Sequence, residues 1–497
     1  MGMGLGKGMG MGKGMGVFLG IDVGTSSCKI CIFNENGTPI SFSRREYPLL
    51  FPRAGHMELS PDTVWDSVAG CVRECLSGLG GANGIAAVGV SSQGEAVMPI
   101  DVGGRALHNS IVTFDNRCKP QAGQIEMKLG GMRSLEITGA PVHSMFSLPK
   151  IMWFRENEPR IYENAWKFMC YGDFISYRLG ADPCIDYTMA SRTQMFDINA
   201  RAWSDEVLSA CGIDKQKLSR AVKSGEVIGT VSKAAAEATG LCEGTAIASG
   251  AHDQSCCALG AGVTKPGVLM DSVGTTESLL CIGERRVAGG AMATGGIPYC
   301  VYADDDLFAY LAFLTSCGAV LKWFKDVLLA DETPYPEYDR AAAERKRPSK
   351  VRLLPYFAGS GTPHMDDMAT GAFSGLTFDA DRIDMYLAIL EGTALESAKI
   401  VSIMRDLGIP ADEIRCIGGG AKSGLWMQIK ADAYGIPVTM MEASEAGVAG
   451  AAMLAVSAVQ GRSLDDIAAS WCRVRRIVEP SPEQHSLYAE MREHDML

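Results

Sequence analysis

Twice in this chain an apolar run breaks at a Gly-Thr turn and resumes as a second apolar run. The first copy is Val17-Phe-Leu-Gly-Ile-Asp-Val-Gly-Thr-Ser-Ser-Cys-Lys-Ile-Cys-Ile-Phe33 and the second is Val268-Leu-Met-Asp-Ser-Val-Gly-Thr-Thr-Glu-Ser-Leu-Leu-Cys-Ile282. Each reads as a β-hairpin, because β-branched and apolar stretches separated by a short glycine turn pair with each other locally. Their recurrence implies two related halves. Helical patterns alternate with the strands. Asp381, for example, is placed to cap a helix running through Ile383, Leu387, Leu390, Ala394, Ala398 and Val401. Such alternation predicts an α/β architecture. The pattern loosens over residues 258–267, so the halves are expected to span 17–260 and 261–497. Residues 1–16 hold only Met, Gly, Lys and one Leu and are expected to form a disordered tail outside the fold. Lys7 and Lys13 are each followed by Gly, so this tail lacks the hydroxyl residue of a P-loop.

The balance of 46 Lys plus Arg against 58 Asp plus Glu gives a net charge of -12, which argues against a nucleic-acid partner. An anionic substrate then needs a local positive site or a metal. The uncharged stretch from Leu307 to Leu321 is shorter than the roughly 20 residues a bilayer requires. It is expected to be a buried helix, and no membrane partner is expected. Sixteen cysteines diluted over 497 residues, with no secretion signal ahead of them, are expected to be reduced in a cytoplasmic protein. Cys28 and Cys31 form a C-x-x-C spacing, but on a strand they point to opposite faces and cannot chelate together.

Three segments are candidates for chemistry. In Asp22-Val-Gly-Thr25-Ser26-Ser27 a carboxylate at a strand end precedes a glycine and three hydroxyls. Successive N–H groups in such a turn form an anion nest, and the acid can hold Mg²⁺ or its water. Alone, this reads more readily as a plain polar hairpin, since Gly-Thr turns are common. The second copy at Gly274-Thr275-Thr276 suggests two hairpins clamping a triphosphate between the halves. In Ser249-Gly-Ala-His-Asp-Gln254, Asp253 falls where a strand meets a helix, either facing a cleft or capping the helix, and His252 reads as a packing histidine. Arg415-Cys-Ile-Gly-Gly-Gly-Ala-Lys-Ser-Gly424 is a strand entering a glycine turn and then a helix. It can lay backbone against a flat base, or serve only as a tight connection.

Taken together these motifs are similar to those of the FGGY carbohydrate kinases. The matching pieces are Gly20-Ile-Asp-Val-Gly-Thr-Ser-Ser27, Gly250-Ala-His-Asp-Gln254, Val273-Gly-Thr-Thr276 and Gly418-Gly-Gly-Ala-Lys-Ser423, with further likeness at Ser92-Gln-Gly-Glu95, Asp115-Asn-Arg117 and Phe146-Ser-Leu-Pro-Lys150 with Trp153. The resemblance implies a duplicated actin-like, ribonuclease-H-like fold of two domains around a central cleft, and phosphoryl transfer from ATP with Mg²⁺ to a small-molecule sugar. It implies that Asp253 is the general base and that Asp22 and Asp253 face the metal. It implies that Thr25, Ser26, Ser27, Lys29, Gly274 and Thr275 line the phosphates, and that Gly318, Lys322, Gly419, Gly420, Ala421 and Gly424 border the nucleotide. The first domain would bind sugar and phosphate and the second the nucleotide.

For the sugar it implies Gly94, Glu95, Asp115, Arg117, Met145, Asp253 and Gln254. Glycerol kinases carry Arg-Glu, and xylulose kinases Met-His, where this chain carries Gly94-Glu95. Gly94 is therefore expected to leave open space in a larger pocket. Met145 stands where glycerol kinases have a phenol, and Thr113-Phe-Asp115 replaces a Trp-containing segment. The resemblance thus favours a ketose such as L-fuculose or D-xylulose. A polyol kinase, or a catalytically silent sugar sensor of the same fold, is the alternative. An actin-like ATPase without a sugar pocket is opposed by Glu95 and Asp115-Asn-Arg117, and a homodimer is left open.

Overall fold

Both apolar repeats form the hairpins that their patterns predict, and each hairpin seeds a sheet. In the computed structural model, which describes residues 16–79, 81, 84–284, 297–442 and 445–493, the tail lies outside the described residues except for Gly16. The first sheet contains β1 (Val17–Val23), β2 (Ser27–Phe33), β3 (Pro39–Glu46), β4 (Ile85–Ser92), β5 (Val227–Thr230) and β6 (Ala246–His252). Its order is β5-β6-β4-β1-β2-β3. The second contains β7 (Gly267–Val273), β8 (Glu277–Gly283), β9 (Tyr299–Val301), β10 (Phe308–Leu314), β11 (Ala411–Ile417), β12 (Val438–Met441) and β13 (Val474–Val478), in the order β9-β10-β8-β7-β11-β12-β13.

The two sheets repeat one plan. A hairpin and its next neighbour run antiparallel, as β1-β2-β3 and as β7-β8-β10. Parallel strands then extend the other side of the first hairpin strand, as β4 and β6 beyond β1 and as β11 and β12 beyond β7. An antiparallel strand closes that edge in both, β5 in the first sheet and β13 in the second. This is the duplicated ribonuclease-H-like plan of the actin-like ATPases.

Five helices matter for the site: α1 (Pro61–Ser77), α2 (Asp253–Gly260), α3 (Arg382–Asp406), α4 (Gly424–Tyr434) and α5 (Ala446–Gln460). The sequence of α5 is almost wholly Ala, Gly, Val, Met and Leu, and the helix packs on α2 and on β1, β4 and β6 of the first sheet. Close approach requires glycine on the strands. A methyl on Gly20 would overlap the Val448 carbonyl, and one on Gly89 would overlap that of Ala451. A shared apolar core containing Phe18, Ala258, Leu280 and Val448 therefore joins the two sheets through these two helices. On its other face the first sheet is covered by α1.

Asp381 caps α3 as its position predicts. Its carboxylate accepts from Ile383 and Asp384 N–H, while Asp384 accepts from the Asp381 N–H, a reciprocal capping box. Leu387, Leu390, Ala394, Ala398 and Val401 are buried. Cys28 and Cys31 fall into separate core clusters on opposite faces of the first sheet, and no disulfide joins any of the cysteines among the described residues.

One expectation is overturned. The stretch from Leu307 to Leu321 is not a helix: Phe308–Leu314 is the strand β10, and only Gly318–Trp323 is helical. β10 pairs with β8 on one side and β9 on the other, and most of its residues are buried. A strand covered on both faces has no polar alternation to distinguish it from a buried helix. Among the described residues no helix is long and apolar enough to cross a membrane.

Candidate active site

The first hairpin turn is tied to the segment that carries Gly94 and Glu95. The Thr25 hydroxyl donates to Gln93 Oε1 at 2.9 Å, Gln93 Nε2 donates to the Gly24 carbonyl at 3.3 Å, and Gln93 N–H donates to the Val23 carbonyl at 2.8 Å. Ser26 is exposed at the tip, and Ser27 opens β2 half-buried. Asp22 is half-buried beside this turn and accepts from the Ser91 hydroxyl at 2.7 Å. Burial pushes its carboxyl above the ordinary range, against that hydrogen bond and the charge of Lys29. Lys29 in turn pairs with Glu445 at 2.7 Å, at the start of α5, and so links the two halves.

Asp253 is the first residue of α2, directly after β6, at the junction its sequence predicts. It caps nothing. The N-cap position belongs to His252, and no side-chain cap bond is made. Burial, with the charges of Asp22 and Glu95, pushes Asp253 up to about 7. Its side chain keeps 28% exposure, so a buried acid retains one open side. Next to it, Gln254 Oε1 is buried without a hydrogen-bond partner. His252 does more than pack, since its Nε2 lies 3.1 Å from Asp253 Oδ1. Burial and then the Arg192 charge hold this imidazole down to about 3, so it is neutral.

Glu95 is one of five non-glycine residues with positive φ among the described residues, at 63°. Holding such a residue there costs about 1 kcal/mol or more. Its surroundings compensate: Ser147 Oγ and Lys150 Nζ both donate to its carbonyl at 3.0 Å, and Arg192 Nε donates to Oε1 at 2.5 Å. Burial works against an ionised Glu95, but Arg192 holds the carboxyl below its ordinary range. The open space expected over Gly94 is absent, because the His252 ring and the base of Arg192 occupy it.

Asp115 and Arg117 form a frame. Asp115 accepts from Met57 N–H at 2.5 Å and from Arg117 Nε at 2.9 Å, while Arg117 also pairs with Glu58 at 2.9 Å and lies 5.0 Å over the Trp153 ring. Met145 is half-buried, and its carbonyl accepts from Lys150 at 2.6 Å.

In the second half the glycine motif gathers at the second hairpin. Gly318 N–H donates to the Gly274 carbonyl at 2.9 Å, and a Cβ on Gly318 would stand 2.5 Å from that oxygen. Thr275 and Thr276 are exposed at the tip. Gly420 packs on Val273 so closely that a methyl would overlap its side chain, while the space over Gly419 is open to at least 4 Å. Ala421 is buried, and Gly424 is exposed as the first residue of α4, which Ser423 caps by accepting from Trp426 N–H at 3.0 Å. Lys322 is not drawn to the turn. It is exposed and its amine pairs with Asp326 one helical turn away.

Among the described residues no cluster of three or more His, Cys, Asp or Glu could hold a metal ion. The acids present suit Mg²⁺, which usually takes one or two carboxylates and completes its shell with water and phosphate. Asp22 and Asp253 stand near enough for the charge of one to move the pKa of the other. Sequence reasoning missed Arg192, Lys150 and the His252 contact. Lys150 is fully buried, with its amine pushed down to about 8 by burial. Its signals are a charged residue inside an apolar helical run and its place at the end of the family-like stretch Phe146-Ser-Leu-Pro-Lys150.

The chain matches the model of the FGGY carbohydrate-kinase N-terminal domain over residues 17–260 and that of the C-terminal domain over 269–459. It is 31% identical over 491 residues to a glycerol kinase of Solidesulfovibrio magneticus, covering 94% of each chain. It is 28% identical over 438 residues to a xylulose kinase of Bacillus subtilis, covering 88% of this chain and 87% of that one. The crystal structure of a xyloylose kinase from Brucella ovis superposes with a TM-score of 0.88 at 25% identity over 96% of this chain and 97% of that one. Both family domains in order, over a duplicated sheet that repeats the same hairpin, make this chain a member of the FGGY carbohydrate kinases, ATP- and Mg²⁺-dependent phosphotransferases acting on sugars and polyols.

Proposed function

We propose that this kinase phosphorylates a neutral ketose, with L-fuculose and D-xylulose as examples, and that Asp253 accepts the proton of the attacking hydroxyl. The observation that carries the reading is Asp253 itself, an acid raised to about 7 with one side open, in reach of the charges of both Asp22 and Glu95. A base near neutrality is well matched to proton transfer at physiological pH. Neutrality of the substrate follows from the charges around it. Among the described residues the cations nearest Asp22, Asp253 and Glu95 are already engaged, Lys29 with Glu445, Arg192 with Glu95 and Lys150 with backbone carbonyls, so a sugar acid would find no free positive charge.

In this reading residues 17–260 hold the sugar, through Gly94, Glu95, Met145 and Gln254 framed by Asp115 and Arg117, and the first phosphate turn. Residues 261–497 hold the nucleotide between Gly318 and the glycine turn at Gly419 and Gly420. Asp22 and Asp253 are the residues that would face Mg²⁺, which when bound would supply neutralisation of the charge on the transferred phosphoryl group. Because the transition state of phosphoryl transfer is loose, alignment by the two turns outweighs base strength. A cytoplasmic location accords with this substrate class.

A coupled ADP-release assay over ketopentoses, ketohexoses, deoxyketoses, polyols and aldonates tests the proposal. Turnover of a ketose above all other classes is expected. Preference for glycerol or another polyol, the reading favoured by the 31% identical relative, would replace it, and sugar binding without turnover would mark a sensor.

A further inference from the structure

A side chain at position 94 and the imidazole at position 252 compete for one volume. A Cβ on Gly94 would stand 2.9 Å from His252 Nε2 and 3.0 Å from Cδ2, well inside the contact distance of about 3.5 Å or more that unstrained heavy atoms keep. The backbone of each partner is held in place. The His252 N–H donates to Thr188 Oγ1 at 2.6 Å, and that hydroxyl donates to Asp186 at 2.5 Å, the N-cap of the helix Tyr187–Ser191 that ends at Arg192. Gly94 is held through its carbonyl by the Thr113 hydroxyl at 3.2 Å, and Glu95 after it is locked by Arg192, Lys150 and Ser147. The absent side chain at 94 is therefore the condition for the ring to lie where it does, and there its Nε2 faces Asp253 Oδ1 at 3.1 Å.

We propose that His252 is a positioning and specificity-determining residue: its imidazole fills the volume over Gly94, walls the sugar pocket there, and by its close contact with Oδ1 leaves the other oxygen of Asp253 to face the substrate hydroxyl. This rests on the reading of Asp253 as the base. The wall favours a compact ketose chain, and removing it admits a longer one.

A double-mutant cycle on the full chain tests this, with Gly94→Ala, His252→Ala, the pair together, and His252→Gln, which keeps a side-chain N–H donor. Kinetics use the ketose that the unaltered protein turns over best. His252→Ala is expected to lower kcat about 10- to 100-fold, the scale of a misplaced catalytic group, with KM for ATP within about twofold, and His252→Gln to recover much of that loss. Gly94→Ala should cost a similar factor by itself and less than about twofold in the His252→Ala background, the non-additivity expected of touching residues. The kcat/KM ratio of ketohexose to ketopentose should rise in His252→Ala. Thermal unfolding of the same proteins reads the packing without any sugar: Gly94→Ala should lower Tm in the otherwise unaltered protein and far less in the His252→Ala background. Failure of Gly94→Ala to fold except in that background would also support the pairing. If no sugar is turned over, the base reading fails, while the Tm cycle still decides the pairing. Additive Tm changes would overturn it, and an unchanged kcat in His252→Ala would overturn the positioning role.

Discussion

The two hairpins share a plan and differ in where they put their charges. Across the first, Asp22 pairs in register with Lys29, whereas the corresponding cross-strand pair of the second is Ser272 with Ser278. The first hairpin sets its acid within electrostatic reach of Asp253. The second keeps its acids beneath the turn. Asp271 and Glu277 are fully buried around Lys430 of α4, whose amine lies 3.0 Å from Asp271 and 2.6 Å from Glu277. Tyr434 donates to Asp271 at 2.9 Å, and the Ser397 hydroxyl donates to Glu277. Burial opposes a charged Lys430, but the two carboxylates hold its amine well above the ordinary range. The duplicated framework thus keeps its charge as internal support in the second copy and, in the proposed function, uses it as chemistry in the first.

The largest effect expected from breaking this contrast is at the base. Asp253→Asn should lower sugar phosphorylation by about 10²–10⁴-fold while KM for ATP stays within about twofold, measured by steady-state ADP release. Near-normal turnover would remove Asp253 from the role and, with it, the chemical asymmetry of the hairpins.

Next in size is the buried support of the second hairpin. Lys430→Met leaves Asp271 and Glu277 without their cation, and removing one partner of a buried charge cluster typically costs about 3–5 kcal/mol. Denaturant unfolding should show that loss, while Asp22→Asn should change stability much less and activity much more. Equal stability losses would mean that both hairpins use their charges structurally.

A smaller effect separates the turns themselves. Thr275 is exposed at its tip, so Thr275→Val should act on ATP alone, weakening affinity or turnover by about 1.5–3 kcal/mol, the worth of a hydrogen bond to a charged group. Thr25→Val also removes the bond to Gln93 and should disturb sugar kinetics as well. Identical profiles for the two variants would erase the distinction.

The smallest effect is electrostatic. In the metal-free protein Asp253 should titrate near 7, and Asp22→Asn should move it down, because removing a neighbouring negative charge favours the ionised form. Carboxyl-carbon NMR of labelled Asp reads this directly. Glu277→Gln should leave the same resonance in place, and an equal shift from both substitutions would place the two acids equally near the base.

Much of this was legible in the sequence because it is local. A strand, a glycine turn and a returning strand are set by neighbours in the chain, as are the Asp381 cap of α3, the strand-to-helix junction at Asp253 and the glycine turn before α4. The resemblance to a kinase family followed from those local motifs in their order. What only the tertiary structure decided is which distant residues meet. Arg192 reaches Glu95 across 97 positions and Lys430 reaches Glu277 across 153, and no periodicity records either pair. β10 became a strand because β8 and β9 flank it, and the space over Gly94 closed because β6 brings His252 beside it. Hydrogen-bonding neighbours along the chain are fixed by residue type and spacing, whereas ion pairs and shared volumes between remote segments are fixed by topology, which brings those segments together only when the whole fold forms.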